Sequence, residues 1–213
     1  MNINGAVFDA DGTLLDSMHI WDELGARYLE SMNITPEEGL SEILYDMSLE
    51  QSSYYLQTRY KINASLNQIQ ESILKIIENF YVHEVNLKPG VRDFLDRINL
   101  PSVIATSGDK DLLTAALIRN EIDKYFAGIF TCSELETDKN EPKIFLKCAD
   151  FLGLKPENII VFEDSLFALK TAKDSGFIIA GVKDVSSQKY EHEAKIIDLS
   201  DYYVTDWREF HIS

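Results

Sequence analysis

The chain has 213 residues, 45% of them hydrophobic, and a formal net charge of −16. That length accommodates one domain, or one core with a smaller insert, and supplies enough apolar side chains for a sizeable buried core. The acidic balance repels nucleic acid and anionic membrane, which sets both aside as partners. It also obliges any phosphate site to carry its own positive charge, from a metal, a lysine or helix N-termini.

Two cysteines, Cys132 and Cys148, with no CxxC spacing, argue against a disulfide framework or a zinc site and for reduced thiols. The first residues show no basic region followed by an apolar run, and no stretch approaches about eighteen consecutive apolar residues. The expected location is therefore the cytoplasm, where the sequons Asn33-Ile34-Thr35 and Asn63-Ala64-Ser65 carry no weight. A monomer or weak dimer is expected.

In chain order, a short apolar strand over Ile3 to Phe8 ends abruptly in the polar run Asp9-Ala10-Asp11-Gly12-Thr13. From Ser17 the pattern becomes helical, with Trp21, Leu24, Gly25, Tyr28, Leu29 and Met32 at three- and four-residue steps. Thr35-Pro36-Glu37-Glu38 combines a capping box with a proline at the first helical position and predicts a second helix. Ser48-Leu49-Glu50-Gln51 and Ser65-Leu66-Asn67-Gln68 open two more. The last of these carries an apolar stripe of Leu66, Ile69, Ile73, Ile76 and Phe80. Residues 17 to about 85 thus read as an all-helical block, in which Trp21, Tyr28 and Tyr54 are read as packing residues. After the turn at Leu87-Lys88-Pro89-Gly90, strands are expected at 102–105, 128–130, 158–162, 177–181 and near 202–204. Helices are expected at 109–119, 141–152 and 165–175. The alternation predicts an α/β fold: a Rossmann-like parallel sheet covered on both faces, with the helical block (17–85) inserted between the first strand and the remainder of the core (1–16 and 86–213).

In open α/β sheets ligands bind beyond the carboxyl ends of the strands. Those ends present Asp9 and Asp11, then Thr106, Ser107 and Gly108, then Glu163 and Asp164, while Lys139 precedes the helix leading into the last of these strands. Carboxylates from two strands offer the hard oxygens magnesium prefers. Hydroxyls, amides and an ammonium offer donors to phosphoryl oxygens. Taken singly, each piece has an ordinary structural explanation: a turn former, a strand-to-helix turn, a helix cap, a solvated lysine. The ordered set, each member at the right end of its element, carries the argument.

The run Val7-Phe8-Asp9-Ala10-Asp11-Gly12-Thr13-Leu14-Leu15-Asp16-Ser17 resembles the first motif of the haloacid dehalogenase superfamily, hhhDxDGTLxDS. Val103 to Gly108, Lys139-Asn140-Glu141-Pro142-Lys143-Ile144-Phe145, and Ile160 to Ser165 are similar to its second, third and fourth motifs. The third departs from the family pattern at Asn140, where proline is usual, and leaves Lys143 as a rival to Lys139; Pro142 and Phe145 fix the register in favour of Lys139. Ala168 stands where glycine is common. The helical insert resembles the family's type-C1 cap, nearest the beta-phosphoglucomutase-like subgroup.

The resemblance implies a magnesium-dependent phosphatase acting on a small phosphorylated metabolite. In that reading Asp9 is the nucleophile and Asp11 the general acid and base. The metal is held by Asp9, the Asp11 backbone carbonyl and Asp164, with Glu163 as an additional ligand. Thr106 and Lys139 serve catalysis, while Gly12, Thr13, Ser107 and Gly108 bind phosphate. Asp11 points to phosphate esters, because the dehalogenases and phosphonatases of the superfamily lack an acid at that place. The alternative implied is a beta-phosphoglucomutase-type sugar-phosphate mutase, whose cap carries an arginine after Gly-x-Ser and a histidine on its first helix. Here Tyr45 to Glu50 contains no arginine and Trp21 replaces the histidine. A non-enzymatic reading, a scaffold phosphorylated at Asp9 like a receiver domain, conflicts with the full set of carboxylates. Cap closure as a lid over hinges near 14–17 and 85–89 is part of the same implication.

Overall fold

The computed structural model describes residues 2–45, 47–186 and 193–212. Asp46, inside the segment compared with the mutase, lies outside them. The chain divides into two compact units, Met1–Met18 with Val85–Ser213, and His19–Glu84.

The larger unit is built on six parallel strands: β1 (Gly5–Phe8), β2 (Ser102–Thr106), β3 (Phe126–Thr131), β4 (Ile159–Glu163), β5 (Ile178–Val182) and β6 (Tyr202–Val204). Their order in the sheet is β3-β2-β1-β4-β5-β6. Every residue of β1, β2, β4 and β5 is buried, which is why these segments read as continuous apolar runs rather than alternating ones. β1 lies at the centre, Phe8 pairing with Ile104 on one side and Phe162 on the other. That register brings Asp9, Thr106 and Glu163 to one edge of the sheet.

One sheet face carries aromatic packing: Phe8 stacks on Phe162 at 4.6 Å, and Phe94 and Trp207 close over them at 5.6 and 5.2 Å from Phe162. The other face places Val7, Val103 and Val161 against Ile144, Phe145 and Leu169.

The His19–Glu84 unit contains α1 (His19–Ser31), α2 (Leu40–Leu44), α3 (Leu49–Tyr60) and α4 (Leu66–Asn79), then one π-helical turn. Ser48 and Ser65 form the expected capping boxes, each with its N3 glutamine. Thr35 does not open a helix; α2 begins at Leu40, after Gly39 at φ 77°. The reason is tertiary. Glu37 is taken up by α3, its carboxylate accepting from Arg59 and from the Tyr55 hydroxyl at 2.7 Å, while its N–H donates to the Tyr60 hydroxyl at 2.9 Å. Along α4 Ile69, Ile73 and Ile77 are buried, and Ile76 of the expected stripe packs partly buried against the unit's core. Trp21 and Tyr54, expected as packing, are instead 51% and 60% exposed; only Tyr28 is buried.

The remaining helices of the larger unit are α5 (Val91–Arg97), α6 (Lys110–Arg119), α7 (Lys143–Leu152), α8 (Leu166–Asp174) and α9 (Glu193–Leu199). α5 and α9 are seven residues each and were not legible as periodic segments. Among the described residues no helix is long and apolar enough to cross a membrane.

Phe94 holds the aromatic face together and is 1% exposed. Phe94→Ala is expected to lower unfolding free energy by about 3–5 kcal/mol in urea titration, and a loss under about 1 kcal/mol would contradict this packing.

Candidate active site

The site begins with a tight turn. After β1 the Ala10 carbonyl accepts from both Leu14 and Leu15 N–H at 2.9 Å, and Gly12 N–H donates to the Leu15 carbonyl at 3.0 Å. Gly12 has φ +80°, and a methyl group there would lie 2.4 Å from Asp164 Oδ2. Glycine is thus required both by backbone conformation and by the approach of the turn to Asp164.

Asp9 is buried at the end of β1, its N–H bonded to the Phe162 carbonyl at 2.9 Å. The Lys139 ammonium, also buried, donates to Asp9 Oδ1 and, at 2.6 Å, to Glu163 Oε2. The other Glu163 oxygen accepts from the Ser165 hydroxyl at 3.0 Å and from the Asp164 and Ser165 N–H groups at 3.2 Å. Asp9 Oδ2 is buried with no hydrogen-bond partner. Asp9, Glu163 and Asp164 each present an oxygen within 4.8 Å of the others.

One ammonium among these carboxylates leaves the cluster short of positive charge. Burial above all, then Glu163, pushes the Asp9 carboxyl up to about 8, against the pull of Lys139. Burial works to lower the Lys139 ammonium, but Asp9 and Glu163 outweigh it and hold it above its ordinary value, so Lys139 stays charged. Hard oxygens, an orphaned carboxylate oxygen and a charge deficit together fit a divalent cation.

Asp11 lies beside this cluster, near enough for its charge to add to the upward push on Asp9. It is half-buried, Ser17 donates to its Oδ1 at 2.7 Å, and its Oδ2 borders Gly108, where a methyl group would come within 3.1 Å. Thr106 is buried and its hydroxyl accepts from Gly108 N–H at 2.9 Å, so that amide is already engaged. Ser107 is exposed, its hydroxyl 3.5 Å from Cys132 Sγ. Thr13 is fully buried and its hydroxyl donates to Asp164 Oδ1 at 3.4 Å, which orients a carboxylate. Lys143, the rival for the lysine position, bonds to the Leu135 carbonyl and is exposed. Two serines missed by the sequence reading, Ser17 and Ser165, hold Asp11 and Glu163. Their signal was small: hydroxyls at the ends of the first and fourth motifs.

The haloacid dehalogenase-like hydrolase profile matches residues 6–182. The chain belongs to that family and is an enzyme of the hydrolase type the family defines. A phosphorylated carbohydrates phosphatase of Thermotoga maritima is 25% identical over 177 residues, covering 82% of each chain. The fructose-1-phosphate phosphatase YqaB of Escherichia coli is 22% identical over 191 residues, covering 84% of this chain and 96% of its own. Among solved structures, a Thermotoga maritima protein described as a candidate beta-phosphoglucomutase shares the fold with a TM-score of 0.84 at 23% identity, covering 97% of this chain and 96% of its own.

Lys139 is the ammonium bonded within the carboxylate cluster. Lys139→Met is expected to cost about 3 kcal/mol of unfolding free energy in chelator, measured by denaturant titration, because the carboxylates are left buried and unopposed. Unchanged stability would mean that the ammonium does not hold them.

Proposed function

We propose that the chain is a magnesium-dependent phosphatase of a small phosphomonoester, of the sugar-phosphate kind on which its named relatives act, working through an aspartyl-phosphate at Asp9. The observation that carries this reading is the contrast between two carboxylates two residues apart. Asp9 is buried, paired with Lys139 and left with one orphaned oxygen. Asp11 is half-buried and held by a serine hydroxyl. Two carboxyl groups in unlike surroundings suit unlike roles, nucleophile and proton carrier.

In the first step an Asp9 oxygen attacks phosphorus, the bond from phosphorus to the ester oxygen breaks, and Asp11 gives its proton to the departing alkoxide. In the second, water attacks the phosphoryl group, Asp11 accepts a proton from it, and inorganic phosphate leaves with Asp9 restored. Lys139 offsets part of the negative charge of Asp9 and Glu163, which lowers the repulsion between the nucleophile and an anionic substrate, and Thr13 orients Asp164. Asp9 and Asp164, with the Asp11 carbonyl and Glu163 beside them, would hold magnesium, which would supply positive charge to offset that of the phosphoryl group. The Thr106 hydroxyl and the Ser107 amide serve as phosphoryl donors, and Gly108 contributes by allowing Asp11 its close approach.

Purified protein is expected to release inorganic phosphate from small phosphomonoesters with magnesium and not with chelator, and Asp9→Asn to abolish release. Conversion of beta-glucose 1-phosphate to its isomer without phosphate release would favour the mutase instead. In kcat/KM, which reads the first step alone, Asp11→Asn is expected to lose about 100- to 10,000-fold on alkyl phosphates and far less on 4-nitrophenyl phosphate, whose leaving group needs no proton. Equal losses on both esters would remove Asp11 from the acid role.

A further inference from the structure

A cavity of about 400 Å³ lies in the larger unit, at the opposite end of the sheet from Asp9. Ile3 leads into β1 and Leu100 into β2, and both border it, so it opens at the amino ends of strands whose carboxyl ends carry the phosphoryl chemistry. Its floor is Phe94, buried, with the Phe210 ring 5.7 Å away. Its walls are Ile3, Ile98 and Leu100, each half-buried and turned to the same hollow. Apolar surface left uncovered around one concavity marks a binding surface, and a volume of this size suits a small molecule.

The rim states the charge of the guest. It carries Arg97, His211, Asn2 and Asn99, all exposed, and among the described residues that line the cavity there is no aspartate or glutamate. That is notable in a chain with 36 acidic residues against 20 lysines and arginines. Cavities elsewhere differ in kind: those bordered by Glu84, Asp22 and Asp206 each hold a carboxylate of their own. Arg27, Arg59, Arg92 and Arg208 are likewise each taken up by a carboxylate. Arg97 is bonded instead to neutral acceptors, its Nη2 donating to the Trp207 carbonyl at 3.1 Å and the Phe210 carbonyl at 3.4 Å. Those two bonds hold the guanidinium at the rim and leave its charge uncompensated by any carboxylate in the lining. One fixed cation over an apolar floor favours a single negative charge. A phosphate dianion would need more donors than Arg97, with one nitrogen already engaged, has left to give.

We infer that this cavity binds a small monoanion with an apolar, ring-sized body, such as an aromatic carboxylate. The ring lies on Phe94 between Ile98 and Phe210, the carboxylate meets Arg97, and the Asn2 and Asn99 amides supply further donors. The site is separate from the phosphoryl chemistry and does not rest on the phosphatase reading.

The test uses the full chain in chelator and 2-naphthoate as the probe, followed by calorimetry and amide chemical shifts. Saturable binding at about 1 mM or tighter is expected, with shifts concentrated at Ile98, Asn99, Leu100 and Phe210. 2-Naphthol, the same ring without the charge, is expected to bind at least about five-fold more weakly. Acetate, the charge without the ring, is expected to leave these residues unmoved at the same concentration. Arg97→Gln is expected to weaken naphthoate at least about ten-fold. Because Arg97 also holds two carbonyls, a second variant keeps the test clean: Asn99→Asp, nearly isosteric and exposed, places a carboxylate in the lining and is expected to weaken binding at least about three-fold. Absence of naphthoate binding, equal binding of naphthol or acetate, or full affinity in Asn99→Asp would overturn the inference. So would shifts centred on Gly12, Thr13 and Ser107, which would place the anion at the phosphoryl edge, or shifts that follow protein concentration without probe, which would show a second copy of the chain covering the opening.

Discussion

The structure depends on a shortage of positive charge at one edge of the sheet. Parallel strands deliver their carboxyl ends to the same side, and here β1 and β4 end in Asp9 and in Glu163 followed by Asp164. Lys139 bonds to two of these carboxylates, and one Asp9 oxygen still has no partner. In a chain with net charge −16 nothing at long range relieves this repulsion. The cluster is stable enough to fold because the lysine, two backbone N–H groups and the Ser165 hydroxyl share the load around Glu163. It remains open to a cation because Asp9 is left incompletely satisfied.

From that constraint the surrounding details follow. Gly12 is needed because the turn after β1 passes too close to Asp164 for any side chain. Thr13 is buried because its hydroxyl orients that same carboxylate. Asp11 leans toward Gly108 and takes the Ser17 hydroxyl, which keeps a second carboxyl group in a different environment two positions from the first. The aromatic face beneath, from Phe8 to Phe162 and Phe94, fixes the strands whose ends carry the charges.

Much of this was legible in the sequence, and for a physical reason. Buried parallel strands are short continuous apolar runs, and the residue that ends each run is the residue at the functional edge. Asp9, Thr106 and Glu163 could therefore be placed from strand boundaries alone. Ser48 and Ser65 could be read as caps because capping is local. What failed was non-local. Thr35-Pro36-Glu37-Glu38 carries a helix signal, yet Glu37 is bound by Arg59, Tyr55 and Tyr60 more than fifteen positions later. The division of labour between Lys139 and Lys143 could be argued from Pro142 and Phe145, but the partners of Lys139 needed coordinates. The cavity over Phe94 was invisible because segments far apart in the chain, from Ile3 to Phe210, contribute its walls, and the exposure of Trp21 is decided by what does not pack on it.

The central claim is that the carboxylates of Asp9 and Asp164 share one divalent ion. Its most direct test is anomalous scattering from crystals grown with manganese in place of magnesium. The account predicts a single strong peak within about 2.3 Å of oxygens from both residues, lost in Asp164→Asn. Saturating manganese with no peak there, or a peak bound to only one of the two, would contradict it.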